Sequence, residues 1–439
     1  MGEHERSPTQ LPPAKRPKKS STTTIHSLTD DLLLQIFLRL PSLATLVRAA
    51  IACRPWRRAV ASSPAFRRRF RELHPAPLLG FFFEPPSTYQ HPALPALPAF
   101  PSFVPTRRRD RDLAAAVRGS DFFLTSIQEH PDKPHTWEIH DCRGGYVLLR
   151  NGDQFCDQAM AVVNPMAPQI QPFIDDGHAD IFEGSRGTPV EFNACLLCSE
   201  EDPTSFRVVL LAHDESRVRA TVFSSDTREW KIHPWVDVPG RPRRSKFWLL
   251  NSNMQSNGFV YWVYKNNKYM VTLNTATMEF SAEELPQFLR NRRCSFSVGE
   301  TNSGMRCIVY AIDFTVGVML RRTDGDGVEK WVLNRATPLD GQLDGILGKL
   351  KSNYDELLIV EVRDGFAYLA TSKKFPDSLN PSWFMSLCLE TMKLENLFQR
   401  TIDSGAHPYI MAWPPSLVGN YKFPLQDDNT KCIKCHPSC

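Results

Sequence analysis

No stretch of this chain approaches the roughly 20 consecutive apolar residues that a membrane-spanning helix requires. Its one Asn-x-Ser/Thr triplet, Asn380-Pro381-Ser382, is closed to glycosylation by the central proline. The opening Met1-Gly2-Glu3-His4-Glu5-Arg6-Ser7 lacks the apolar core of a secretory signal, and Arg6 stands where a myristoylation motif needs Ser or Thr. We therefore expect neither export nor a membrane. The eleven cysteines are odd in number and scattered, which fits free thiols in a reducing compartment. Catalytic signatures are missing too: there is no Gly-x-Ser-x-Gly elbow, no phosphate-cradling Gly-x-x-x-x-Gly-Lys-Ser/Thr loop, no Gly-x-Gly-x-x-Gly and no His-Glu-x-x-His. We expect no enzyme, no cofactor and no metal.

What is present is ample material for cores. The 439 residues are 42% hydrophobic and 23% charged, with 27 Phe, 10 Tyr and 9 Trp, enough for two or three domains. The net charge of +4 hides an asymmetry. Residues 1–71 hold fourteen Lys/Arg against four Asp/Glu, a balance of +10, so residues 72–439 carry 4 − 10 = −6.

Residues 1–24 are polar and without hydrophobic periodicity, and read as a disordered tail. Between its prolines lies a basic cluster, Lys15, Arg16, Lys18 and Lys19, which resembles a single-cluster nuclear localisation signal; a solubilising tail is the alternative. The expected location is nuclear and/or cytoplasmic.

Residues 25–73 read as three short helices. In the first, Leu32, Leu33, Ile36, Phe37 and Leu40 recur at helical spacing. Thr29 can cap it, Asp30 and Asp31 suit the positive end of its dipole, Leu28 can staple onto Leu33, and Pro41 ends it. Ser42 can cap a second helix carrying Leu43, Leu46, Val47, Ala50 and Cys53, which Pro55 interrupts; Ser63-Pro64 opens a third, with Phe66, Phe70 and Leu73 on one face. So small a unit has more apolar positions than three short helices can hide, which implies a partner surface.

The run Leu28-Thr29-Asp30-Asp31-Leu32-Leu33-Leu34-Gln35-Ile36-Phe37-Leu38-Arg39-Leu40-Pro41, then Leu46-Val47-Arg48-Ala49-Ala50 and Cys53-Arg54-Pro55-Trp56-Arg57-Arg58, resembles the F-box motif. It departs from the family at Thr29, where Pro is usual, and at Pro55, just before the family's Trp. The resemblance implies binding to a Skp-family adaptor, and through it to a cullin. The apolar set it assigns to that role, shared between the adaptor face and the internal core, is Leu28, Leu32, Leu33, Ile36, Leu40, Pro41, Leu46, Val47, Cys53 and Trp56.

Prolines crowd residues 75–105, which precludes a regular helix there and marks 85–106 as a linker or a surface insertion. Within this region Leu78–Phe83 is apolar enough to be a buried strand. From about residue 120 the pattern turns to β. Paired short runs flank His213–Ser216, Lys265–Lys268, Asp324–Gly327 and Asp364-Gly365, a hairpin array. A strand, a polar turn and then an aromatic or apolar residue recur from Asn164, Asp226, Asn274, Asp324 and Glu390, at spacings of 62, 48, 50 and 66 residues, roughly the length of a four-stranded propeller blade with its loops. The recurrent turn is expected to open the last strand of each blade. This half resembles the kelch-like F-box-associated β-propeller of the large plant F-box families. The expected architecture is α+β and multidomain: an F-box at 25–73, then an all-β propeller of about six blades at 74–425, closed by Leu78–Phe83 pairing near Tyr409–Trp413, and a Cys-containing tail at 426–439.

Four features compete for a chemical role. Cys195 and Cys198 have zinc or redox spacing but fall in an apolar run that reads as a strand, where positions three apart face opposite ways. Cys432, Cys435, His436 and Cys439 could in principle close a tetrahedral site, yet have little chain to order around them. Asp324–Gly327 reads as a turn, since Arg335 stands where a calcium loop needs Glu. Arginines 54, 57, 58, 67, 68, 69 and 71 could meet phosphates, but no recognition-helix pattern accompanies them and nucleic acid is not expected. The functional expectation is a substrate-recognition subunit of a Skp-cullin-F-box ubiquitin ligase, whose propeller holds a protein target of unknown identity. The alternative is a non-degradative binding or structural protein with a decayed F-box.

Overall fold

The computed structural model describes residues 28–85, 100–106, 110–128, 137–151, 160–167, 173–174, 181–199, 202–239, 248–290, 294–323, 325, 327, 329–375, 380–401 and 405–418. The N-terminal tail with Lys15, Arg16, Lys18 and Lys19, most of the proline-rich stretch, Asp324 and Asp326, and the tail with Cys432, Cys435, His436 and Cys439 lie outside these residues.

The N-terminal unit has four helices where the sequence predicts three: α1 (Asp30–Phe37), α2 (Leu43–Ile51), α3 (Arg54–Ala61) and α4 (Pro64–Leu73). Thr29, Ser42 and Ser63 cap α1, α2 and α4 through their side-chain oxygens. The extra helix arises at Pro55. Rather than interrupting α2, it lies in the first turn of α3, where its missing N–H costs nothing and its fixed φ favours a helical start.

Residues 78–410 form a six-blade β-propeller. Five blades, at 137–174, 190–232, 249–284, 294–338 and 354–400, are antiparallel four-stranded meanders, the second with an added short strand, Val236–Asp237. The sixth is composite: Leu78–Phe83 lies between Ser102–Pro105 and Ala406–Ile410, with Phe82 opposite Phe103 on one side and His407 on the other. The two ends of the propeller thus share one sheet and close the ring. The strands on either side of the proline-rich stretch, Leu78–Phe83 and Ser102–Pro105, pair with each other in this blade. The inner strands of neighbouring blades adjoin all the way round, beginning with Trp137–Arg143 and ending with Ala406–Ile410.

The turns repeat as the ring requires. At Gly144-Gly145, Asn257-Gly258 and Asp364-Gly365 both residues have positive φ, the geometry of two-residue hairpins joining first to second strands. The last hairpin of three blades closes on a residue with positive φ, Arg228, Met278 or Met392, whose N–H bonds four residues back to Ser224, Asn274 or Cys388. These are the recurrent turns of the sequence pattern, in the expected place.

Layers of apolar side chains fill the space between blades. Phe81 and Phe83 point one way, onto Tyr368, Phe384 and Phe398; Phe82 points the other way, onto Phe103, Phe122 and Tyr409. The second layer is continuous with the helical core of Leu33, Phe37, Leu46, Ala50, Val60 and Phe70, and Phe70 meets Trp413 edge-on at 6.0 Å. A helix that the sequence did not signal, α5 (Arg111–Arg118), packs Leu113 and Val117 into this layer, and its Asp112 pairs with Arg48 of α2.

His213 is fully buried against Trp248 at 4.9 Å, with Nδ1 3.1 Å from the Asp214 carbonyl, and burial pulls its pKa down to about 4. The unfolded chain binds that proton near pH 6.5, so this residue's contribution, about 3 kcal/mol, is complete above pH 6.5 and is lost as pH falls towards 4. Denaturant titrations at pH 7, 5.5 and 4.5 should show a steeper decline for the native chain than for His213→Gln.

Candidate functional site

Two surfaces are built to act. The first is the outer side of α1 and α2. The α1 spacing places Leu33 and Phe37 in the core at 4% and 3% exposure and leaves Leu32 and Ile36 outside at 55% and 45%. At the end of α2, Ile51 stands 58% exposed. Of the ten residues assigned to the adaptor role, Leu33 and Leu46 are buried core and are removed from any contact face. Leu28, Leu40, Val47, Cys53 and Trp56 are half-buried, Trp56 lying edge-on to Phe37 at 5.7 Å. Leu32, Ile36 and Pro41 are exposed. Sequence reasoning missed Ile51, which ends the helix in register with no apolar follower. It also misplaced Arg67 among the outward arginines: Arg67 is 3% exposed and donates to the Ala61 carbonyl, beside Phe66 and Phe70.

The second surface is the mouth of the channel on the side of the two-residue turns. A cavity of about 590 Å³ opens there, lined by Arg143, Gln255, Glu300 and Arg363 from the inner strands, by Asp364 of a turn and by Arg71 of α4, whose guanidinium lies over Trp413. The polar groups mostly engage one another. Arg143 and Arg363 both donate to Glu361, and Arg363 also donates to the Cys142 carbonyl at 3.0 Å. Asp141 accepts from Leu196 N–H at 2.8 Å and Gln255 Nε2 at 2.7 Å, while Glu300 accepts the Asp364 N–H at 3.2 Å. Burial alone would lower the Arg363 pKa, but Glu361, Asp141 and Asp364 outweigh it and hold the cation charged. Burial pushes the Glu300 carboxyl up. The network ties five blades together and gives the cavity a polar floor in which cations and carboxylates alternate.

Cys195 and Cys198 lie on one strand, Val190–Cys198, and face different interblade layers; burial pushes the Cys198 thiol up to about 12. Both belong to core packing. Among the described residues there is no cluster of three or more His, Cys, Asp or Glu able to hold a metal, and no helix long and apolar enough to cross a membrane.

A small helical unit with an exposed apolar stripe, mounted on a closed six-blade ring, defines an F-box protein with a propeller. The chain belongs to the family described as F-box protein AT5G49610-like, beta-propeller, whose model matches residues 138–417; an F-box-like model matches residues 26–72. F-box domains generally bind Skp-family adaptors, and this architecture fits a substrate-recognition subunit and is typical of non-enzymatic adaptor proteins. No curated protein matches the chain. Solved structures similar to it include a protein from Lactobacillus plantarum, at 7% identity and a TM-score of 0.35, covering 74% of this chain and 83% of that one. A protein of unknown function from Bacteroides caccae is similar at 8% identity and 0.34, over 62% and 87%.

Proposed function

We propose that this chain is the substrate receptor of a Skp-cullin-F-box ubiquitin ligase: α1 and α2 seat a Skp-family adaptor, the adaptor links to a cullin, and the propeller holds a protein target for ubiquitination. The observation that carries this reading is the exposure of Leu32, Ile36 and Ile51 in the segment the F-box-like model matches, where Leu33, Phe37, Leu46, Ala50, Val60 and Phe70 are packed. Large apolar side chains left outside favour burial against a partner. The shared core below α3 and α4 supports the same reading, because a target held by the ring then keeps a fixed orientation to the adaptor, and transfer follows from proximity. Thr29 caps α1 and Pro55 starts α3, so both departures from the family pattern are compatible with the helices of the unit. We also propose nuclear import through Lys15, Arg16, Lys18 and Lys19.

The purified full chain should co-elute with a recombinant Skp-family adaptor, and proximity labelling with and without proteasome inhibition should reveal proteins that accumulate only under inhibition. Failure to co-elute would refute the adaptor role. Labelled partners insensitive to inhibition would support the non-degradative alternative.

A further inference from the structure

Seven charged residues line the cavity at the channel mouth, and four of them are engaged within the protein. Arg143 and Arg363 both donate to Glu361, Arg71 lies over Trp413, and Asp226 accepts from Ser205 Oγ at 2.9 Å. Three are poorly matched. Arg207, on the second blade, directs two guanidinium nitrogens at the Thr275 carbonyl, each 3.4 Å away, and no carboxylate meets it among the described residues. Asp364, in the first turn of the fifth blade, gives its N–H to Glu300, while no hydrogen-bond donor reaches its own carboxylate among the described residues. Glu300 ends the inner strand of the fourth blade. Burial pushes its carboxyl up, Arg143 offsets part of the rise, and the neighbouring Asp364 charge adds to it. On the floor, Arg363 is 5% exposed and its Nε has no acceptor among the described residues.

The poorly matched charges are separated by sign. In a six-blade ring the second blade stands across the channel from the fifth, so the cation and the two carboxylates lie on different sides of the mouth. A ligand group of one sign would satisfy one side and be repelled by the other. A ligand that carries both signs on a chain of carbonyl acceptors suits both sides and the floor. A peptide segment with an acidic and a basic residue is such a ligand, and about 590 Å³ admits several of its residues.

From this we infer that the mouth of the ring receives a segment of the protein target that bears both signs, its acidic side chain going to Arg207 and its basic side chain to Glu300 and Asp364. This rests on the receptor role proposed above and assigns the chemistry of the segment that the ring reads.

Selection of a displayed library of random dodecapeptides on the full chain tests it. Enriched peptides should carry an acidic and a basic residue at a constant spacing. Arg207→Gln should weaken the best of them about tenfold, and so should Glu300→Gln/Asp364→Asn, a pair that keeps side-chain size and puts Asn at the positive φ of residue 364. A double-mutant cycle fixes the orientation. Replacing the peptide's basic residue by Gln should cost about tenfold on the native chain and less than about twofold on Glu300→Gln/Asp364→Asn, and its acidic residue should behave in the same way with Arg207→Gln. Calorimetry gives the affinities, and unchanged melting shows that the ring is intact. Peptides of a single sign, peptides held equally by the native chain and the variants, or no enriched peptide at all overturn the inference. The receptor role is decided separately, by adaptor co-elution and proximity labelling, which do not depend on where a target binds.

Discussion

A Leu32→Asp/Ile36→Asp double variant is expected to lose affinity for a Skp-family adaptor by at least about a hundredfold, about 3 kcal/mol, while melting within about 2 °C of the native chain. Both side chains are about half exposed, so aspartate is well solvated in the free protein and the helix keeps its core residues Leu33 and Phe37. In a complex the same two carboxylates would be buried at an apolar contact with no cation opposite, which is among the costliest arrangements an interface can hold. Co-elution and calorimetry measure the loss, and near-ultraviolet dichroism checks the fold. Ile36 with Leu40 is the pair the periodicity alone would select, but Leu40 is half-buried against the helical core, so aspartate there would disturb folding as well as binding. Capture retained by Leu32→Asp/Ile36→Asp would remove the α1 stripe from the adaptor contact.

How much of this was legible depends on how local each signal is. Helix caps and the Leu40-Pro41 stop act within one turn, so α1, α2 and α4 could be read directly. Pro55 could not, because a proline can either stop one helix or open another, and only the backbone of Cys53 shows which. The recurrent turns were legible since their backbone, with positive φ at Arg228, Met278 and Met392, repeats with the blade. The division of Leu32 and Ile36 from Leu33 and Leu46 needed the packed neighbours of each helix. Arg67 had no local signal, because along a helix it and Arg69 lie equally far from the line of Phe66 and Phe70, and only the surrounding packing buries one and exposes the other. The channel network had none. Arg143 and Glu361 lie 218 residues apart and meet only because the ring closes.

Ring closure itself can be broken from either side of one strand. Phe81→Ala and Phe82→Ala should each destabilise the protein by about 3–5 kcal/mol, since both rings are fully buried and the closing strand is held between two others with no room to collapse inward. Their distant consequences should differ. Phe81 anchors the closing blade to the fifth blade through Tyr368, Phe384 and Phe398, so its loss weakens the seam of the ring. Phe82 belongs to the layer that runs through Phe122 and Tyr409 to the helical core, so its loss should also loosen the seat of α3 and α4. Denaturant midpoints give the first effect. Amide exchange gives the second: α3 and α4 should exchange faster in Phe82→Ala, and as in the native chain in Phe81→Ala at denaturant concentrations where both remain folded. Equal exchange in the two variants would mean that the helices are held independently of the closing strand, and the fixed orientation between adaptor face and propeller would then need another source.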